Sequence, residues 1–259
     1  MNKGTPIIEV RNLVARYDEQ LVLDGISFGV CEGEILVVIG GSGCGKTTLL
    51  RHMVGLLAPA AGEILYWGKD LTKMDDDERA RLLQRIGITF QSGALFNSMS
   101  VAENVGLPIE EYGATDAELR DTLVRMKLSL VGLGNYGDRM PDELSGGMKK
   151  RVGFARSIAM DPEIVFFDEP SAGLDPIMAA GLDKLILDMR RLTGVTMVVI
   201  THELESIRTV ADRVLMLDRG RIIFMGTLDG AEKSDVPRVR QFFDRQPDKA
   251  IEARNDNEH

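Results

Sequence analysis

The stretch "GGSGCGKTT", residues 40–48, decides how the rest of this chain is read. It lies between a continuously apolar run, Ile35–Ile39, and a Leu-rich stretch at 47–57 with helical character, TTLLRHMVGLL. Gly40, Gly41, Ser42, Gly43, Cys44, Gly45, Lys46 and Thr47 fit the pattern G-x-x-x-x-G-K-[ST]. Small residues let a backbone wrap around an anion with several N–H groups turned inward. The helix that follows adds the favourable end of its dipole. Lys46 is then placed to reach the β- and γ-phosphates of a nucleotide, and the Thr47 hydroxyl to ligate Mg²⁺. Residues 40–48, Thr48 included, are the candidate phosphate-binding set. The plainer reading is a Gly-rich turn between strand and helix. A buried strand before the pattern and a helix after it count against that.

The bulk composition is compatible with such a site. The chain has 259 residues, enough for one large domain or a core with an inserted subdomain. A net charge of −9 argues against broad binding to nucleic acid or anionic lipid heads. Cys31 and Cys44 suggest neither a disulfide nor a metal site. The N-terminal MNKGTPIIEV lacks an apolar signal-peptide core, and no apolar run approaches the ~18 residues of a membrane span. The expectation is a cytoplasmic protein that meets a membrane only through a partner.

Residues 7–30 alternate apolar and polar, which predicts two or three strands of a half-buried antiparallel sheet. GEILYWG (62–68) reads as strand and DDDERARLLQRI (75–86) as a helix with an acidic first turn. From Gln91 to about Asp161 the character becomes mainly helical, with a capping-box pattern at Thr115 and Glu118. Buried-strand patterns resume with IVFFDEP and TMVVITH, and VLMLDRGRIIFMG reads as a hairpin around Arg219-Gly220. The expected fold is α/β: a RecA-like phosphate-loop core with an antiparallel β edge and an inserted α-helical subdomain. The expected division is residues 1–92 and 160–229 for the core, 93–159 for the helical part, and 230–259 for a C-terminal helix and loose tail. VPRVRQFFDR (236–245) aligns Val236, Val239, Phe242 and Phe243 on one apolar stripe. That stripe packs either on its own subunit or on a sister or accessory subunit.

Asp168 and Glu169 end the buried run IVFFDEP. A carboxylate at a strand tip beside a phosphate loop suits Mg²⁺, which fits Asp168. Glu169 is then placed to act as general base toward water. An acidic turn that merely caps a helix is the plainer reading of an isolated pair.

GTPases carry an N-K-x-D base-reading motif, which is not found here; instead "LSGGMKKR" stands at 144–151. Ser145, Gly146 and Gly147 open a helix and so form a second anion-suited N-terminus. With one complete loop already at 40–47, the second makes sense if it serves the nucleotide of another copy. Taken together, the chain resembles the ATP-binding-cassette (ABC) ATPases over about residues 7–228, with Met148 where the family signature LSGGQ has Gln. The resemblance implies ATP and Mg²⁺ as cofactors and an ATP-hydrolysing homodimer. It implies that Tyr17 stacks on adenine, that Gln91 senses Mg²⁺ and the attacking water, and that His202 contacts the γ-phosphate. It makes "SAGLD" (171–175, ending in Asp175) the loop crossing the dimer seam. Read singly, Tyr17, Gln91 and His202 would pass for ordinary strand and loop residues. His52 and His259 acquire no role.

The resemblance also implies an integral-membrane permease, received near Gly93, Ala94, Leu95 and Phe96, on the inner, cytoplasmic face of the membrane. The wording "FQSGALF", "ELSGGMKKR" and "DEPSAGLDP" is most similar to the ATPases of MCE-associated, Mla-type lipid transporters. That branch implies phospholipid transport, an MCE protein and a small STAS-domain accessory subunit. An ABC ATPase for another cargo, or one acting outside transport in translation or DNA repair, remains open. Tandem cassettes, sustained heptads or zinc-ligand cysteines would mark the last, and the sequence has none of these.

Overall fold

The computed structural model describes residues 6–91, 93–113 and 116–247. The chain begins with a long hairpin, β1 (Pro6–Tyr17) and β2 (Gln20–Cys31), in which Tyr17 pairs with Gln20 next to the turn. β3 (Ile35–Gly40) runs into the Gly-rich loop and α1 (Lys46–Met53). The expected helix over 47–57 stops early. Gly55 adopts a positive φ of 73°, and the amides of Leu56 and Leu57 turn back onto the Arg51 carbonyl. β4 (Ala61–Tyr66), β5 (Lys69–Asp70), α2 (Asp76–Gln84) and β6 (Ile86–Thr89) follow.

The helical stretch comprises α3 (Val101–Tyr112), α4 (Ala117–Leu130) and α5 (Gly146–Ser157). α3 carries a full capping box between Ser100 and Glu103. α4 is capped by Asp116, whose carboxylate accepts the Leu119 amide at 2.9 Å. The cap thus falls one residue beyond the expected Thr115, which lies outside the described residues. The chain then alternates through β7 (Ile164–Asp168), α6 (Pro176–Thr193), β8 (Thr196–Ile200), α7 (Leu204–Val210), β9 (Arg213–Asp218) and β10 (Arg221–Thr227). It continues with α8 (Leu228–Glu232) and α9 (Pro237–Phe243).

Two sheets result. The N-terminal one is antiparallel, in the order β2-β1-β4-β5; the larger has the order β10-β9-β3-β8-β7-β6. β3, β8, β9, β7 and β6 are parallel, and only β10 runs against its neighbour. The apolar runs of the parallel strands follow from burial on both faces. Ile35, Val37 and Ile39 of β3 point into a core shared with the helices; Leu36 and Val38 point into a core shared with the N-terminal sheet and α1. β7 and β8 divide the same way: Val165, Phe167, Met197 and Val199 on one side, Ile164, Phe166, Val198 and Ile200 on the other.

The 93–159 segment shares the first of these cores. Phe154 of α5 meets Phe167 of β7 edge-on at 5.1 Å between ring centroids. At the other end, the expected boundary near 229 falls inside α8. Val239 (0% exposed) and Phe243 (6%) of α9 belong to the helix-side core, with Val236 and Phe242 packed against it. The apolar stripe therefore covers its own subunit. The loose tail expected over QPDKAIEARNDNEH (246–259) lies, from residue 248 on, outside the described residues. No helix among the described residues is long and apolar enough to cross a membrane.

Candidate nucleotide-binding site

Three adjacent parallel strands end together. β3 delivers Gly40, β8 delivers Thr201 and His202, and β7 delivers Asp168 and Glu169, with Asp168 in register with Ile200 and Ile200 with Val38. Ligand sites of open parallel sheets lie at such carboxyl ends.

The two ends of the loop, Gly40 and Gly45, leave no room for a side chain. Gly40 has φ 150°, and a Cβ there would stand 2.6 Å from Cys44 Sγ; Gly45 has φ 108°, and its Cβ would stand 2.5 Å from Leu23 of β2. Gly45 is also the N-cap of α1 and supplies no side-chain acceptor, so the first amides of that helix have no capping side chain. Lys46 lies across the loop, donating from Nζ to the carbonyl oxygens of Gly40 (2.8 Å) and Gly41 (3.0 Å). Ser42, Gly43 and Thr47 are exposed and Gly41 is half-buried, while Thr48 is buried. Cys44 faces inward: its thiol is 5% exposed, and burial pushes its pKa up. Of Cys44, only the backbone is available to a phosphate.

Opposite the loop, Asp168 is buried at the tip of β7. Burial first, and the neighbouring Glu169 second, raise its pKa; Arg51 and Lys46 pull the other way. Glu169 has φ +51°, a left-handed conformation costing a non-glycine residue about 1–2 kcal/mol. Its amide donates to Ile200 O at 2.8 Å. Its Oε1 accepts from His202 Nδ1 at 2.9 Å, and its Oε2 is buried without a partner. The ring of His202 is more than half exposed, and its other nitrogen, Nε2, lies 3.7 Å from the exposed Glu203 carboxylate.

Two packed carboxylates, one with an orphaned oxygen, fit a divalent cation nearby. Among the described residues no group of three or more His, Cys, Asp and Glu could hold a metal on its own. Asp168 and Thr47 can therefore furnish part of a coordination sphere, which phosphate oxygens and water would complete. Gln91 stands exposed in the turn after β6.

The remaining expected residues are spread around this centre. Tyr17 is exposed at the end of β1, on the hairpin whose Leu23 touches the loop at Gly45. Ser145 is the N-cap of α5, its Oγ accepting the Met148 amide at 3.3 Å. Gly146 is exposed with open space around it, whereas Gly147 is buried against Met178 of α6. Asp175 caps α6 by accepting the amides of Ile177 and Met178, both at 3.0 Å. The 93–96 loop is held from two sides. Asn104 of α3 accepts the Phe96 amide at 2.8 Å and donates to its carbonyl at 3.0 Å, and Arg156 of α5 donates to Gly93 O at 2.9 Å. The Phe96 ring is left exposed.

Sequence reasoning missed two groups close to the site. Lys150 of α5 donates from Nζ to the Glu169 carbonyl at 3.2 Å. Arg238 of α9 approaches the loop, its Nη2 lying 3.5 Å from where a Cβ of Gly41 would stand. A basic residue in a signature-like helix and an arginine in a terminal one carry no local mark of these contacts.

The chain matches the ABC transporter family over residues 23–172. It is 39% identical over 238 residues to the intermembrane phospholipid transport system ATP-binding protein MlaF of Escherichia coli strain K12, spanning 92% of this chain and 88% of that protein. It is 38% identical over 237 residues to the probable ribonucleotide transport ATP-binding protein mkl of Mycobacterium leprae, spanning 91% and 68%. Among solved structures it resembles the dimeric ATP-binding cassette MJ0796 in a post-hydrolysis state bound to ADP and Pi. There the TM-score is 0.78 at 28% identity, over 85% of this chain and 98% of that one. It also resembles cbiO1 from Clostridium perfringens, part of the transporter complex cbiONQ, with a TM-score of 0.79 at 28% identity over 98% and 96%. With the family match on more than half of its residues, and with such relatives along nine-tenths of its length, this chain belongs to the ABC transporter family, as an ATP-binding subunit that hydrolyses ATP.

Proposed function

We propose that the chain is the cytoplasmic ATPase of a phospholipid transporter, working as a homodimer on a membrane permease. The observation that carries the hydrolytic part is the meeting of loop, carboxylates and histidine at the tips of β3, β7 and β8. The loop amides and Lys46 hold the phosphates, and Tyr17 stacks on adenine. Glu169 accepts a proton from the attacking water, and its hydrogen bond to His202 fixes where that acceptor points. His202 turns its exposed Nε2 edge, beside Glu203, to the γ-phosphate. A Mg²⁺ ion held by Thr47, Gln91 and Asp168 would neutralise charge developing on the phosphates.

Ser145, Gly146 and Gly147 serve the nucleotide of the second copy, and the turn ending at Asp175 lies along the seam. Closure on ATP and reopening after hydrolysis supply the motion. The permease docks beside the exposed Phe96, and an MCE protein and a STAS-domain subunit complete the assembly. The MlaF relatives support phospholipid as cargo. The mkl relative, of nearly equal identity, favours a second reading in which a different cargo is moved by the same engine.

The test is to isolate the full-length chain with its membrane subunits from the source cells and to measure hydrolysis and bound lipid together. Phospholipid that co-purifies, and that leaves the complex on ATP turnover but not with Glu169→Gln, supports the proposal. A complex that turns over ATP without moving lipid leaves the ATPase standing and removes the cargo.

A further inference from the structure

α5 does more than present Ser145–Gly147 at its start. Lys150, on its second turn, reaches out of the helical segment to the backbone of the catalytic loop, and its bond to the Glu169 carbonyl is its one hydrogen bond among the described residues. The ammonium is half-buried there; burial pushes its pKa down and Glu169 pushes it back up. The Glu169 carbonyl also accepts the Ala172 amide at 3.3 Å. A left-handed residue held at its amide by β8 and at its carbonyl by α5 has its side-chain direction set from both ends.

The same helix is anchored elsewhere by close packing. Gly147 fits against Met178 so tightly that a Cβ would overlap the methionine tip, and Gly153 backs onto Gly93, where a Cβ would lie 3.1 Å from the Gly93 Cα. Arg156 holds Gly93 O, two residues beyond Gln91. α5 is 12 residues long, about 18 Å. It behaves as one rod, with its N-terminus at the seam and its flank on both the Glu169 and Gln91 loops of its own subunit.

We propose that Lys150 is a positioning residue that transmits engagement of Ser145–Gly147 with the partner's nucleotide to Glu169 of its own subunit, so that the two ATP sites fire as a pair. This rests on the paired-site reading above. When the helix N-terminus docks on a phosphate, the rod shifts as a unit, and the carbonyl bound by Lys150 moves with it. A displacement of 1 Å at a reacting centre changes rates by about 10²-fold, so a small shift of the rod is enough.

The test uses the full-length chain in complex with its membrane subunits. Wild type, Lys150→Met (stem kept, charge removed) and Lys150→Arg (donor kept) are compared for equilibrium ATP binding with Mg²⁺ withheld, kcat, KM and the Hill coefficient of hydrolysis. Lys150→Met should bind ATP within twofold of wild type, lose at least tenfold in kcat, and drop from a Hill coefficient near 2 to near 1; Lys150→Arg should recover most of both. A Hill coefficient that stays near 2 in Lys150→Met, whatever happens to kcat, overturns the inference and leaves a static tie between two segments. If Lys150→Met does not fold, Lys150→Gln, too short to reach the carbonyl, is judged by the same criteria. A wild-type Hill coefficient of 1 would instead overturn the paired-site reading, and the inference with it.

Discussion

Replacing Glu169 by Gln should separate turnover from stability, moving them in opposite directions. The amide keeps the shape and can still accept from His202, but it takes no proton from water. General-base contributions of 10²–10⁴ correspond to about 3–5 kcal/mol of lost transition-state stabilisation. The nucleotide-free protein should at the same time become more stable. Glu169 Oε2 is buried without a partner, a situation costing about 1–3 kcal/mol, and its charge sits beside buried Asp168. The amide still buries a polar atom but removes the charge, so a net gain of about 1 kcal/mol is expected. In a chain of this size that raises Tm by about 2–4 °C.

The pH dependence has a defined sign. Asp168 titrates above its ordinary value in the fold, so the folded state retains the proton longer than the unfolded one. Its charge therefore opposes folding above that raised pKa, and the penalty disappears as pH falls through it. The advantage of Glu169→Gln should be full at neutral pH and shrink on acidification, as wild-type Asp168 becomes neutral. Phosphate release gives the rate, and calorimetry at neutral and acidic pH gives the stability. An unchanged or lowered Tm at neutral pH, or turnover within tenfold of wild type, would refute the reasoning.

Three other expectations follow from the site and its supports. Lys46→Ala should weaken ATP binding roughly ten- to hundredfold, the loss of a charged hydrogen-bond donor at about 1.5–3 kcal/mol, as titrated by calorimetry; unchanged affinity would place the phosphates elsewhere. Cys44 should alkylate at least tenfold more slowly in the folded chain than in urea, because the thiol is buried and its pKa raised; peptide mass spectrometry reads both rates, and equal rates would mean the loop is open at Cys44. Ending the chain at residue 233 removes Val239 and Phe243 from the core and should cost about 3–6 kcal/mol, whereas ending it at 247 keeps both; equal melting temperatures for the two truncations would deny α9 its place in the core.

The sequence revealed most where one local pattern carries one physical requirement. Gly40–Thr47 announces itself because a backbone cradle, a lysine and a hydroxyl must follow in fixed order. The double-sided burial of β3, β7 and β8 is visible as unbroken apolar runs. What stayed hidden depends on contacts between distant segments. A half-buried strand pattern does not say which sheet receives it, so β1, β2, β4 and β5 could not be placed in a sheet of their own. The stripe on α9 reads the same whether its cover is the chain's own core or another subunit. The strained backbone of Glu169, its bond to His202 33 residues later, and the reach of Lys150 across 19 residues leave no trace in local spacing.

The placement of β3 also bears on how the protein is made. Both of its neighbours in the sheet come far later: Ile35 pairs with Met197, and Leu36 with Arg213. At a translation rate of about 5–20 residues per second, ILVVIG waits roughly 10–30 s outside the ribosome with both edges unpaired. Such an apolar segment is a ready nucleus for aggregation, and chaperone holding is the natural remedy. The phosphate loop at 40–47 is synthesised well before the strand beside it, which ends only at Asp218. No nascent chain that stops short of β9 can form the completed pocket, so ATP can stabilise this protein only after β9 has been translated.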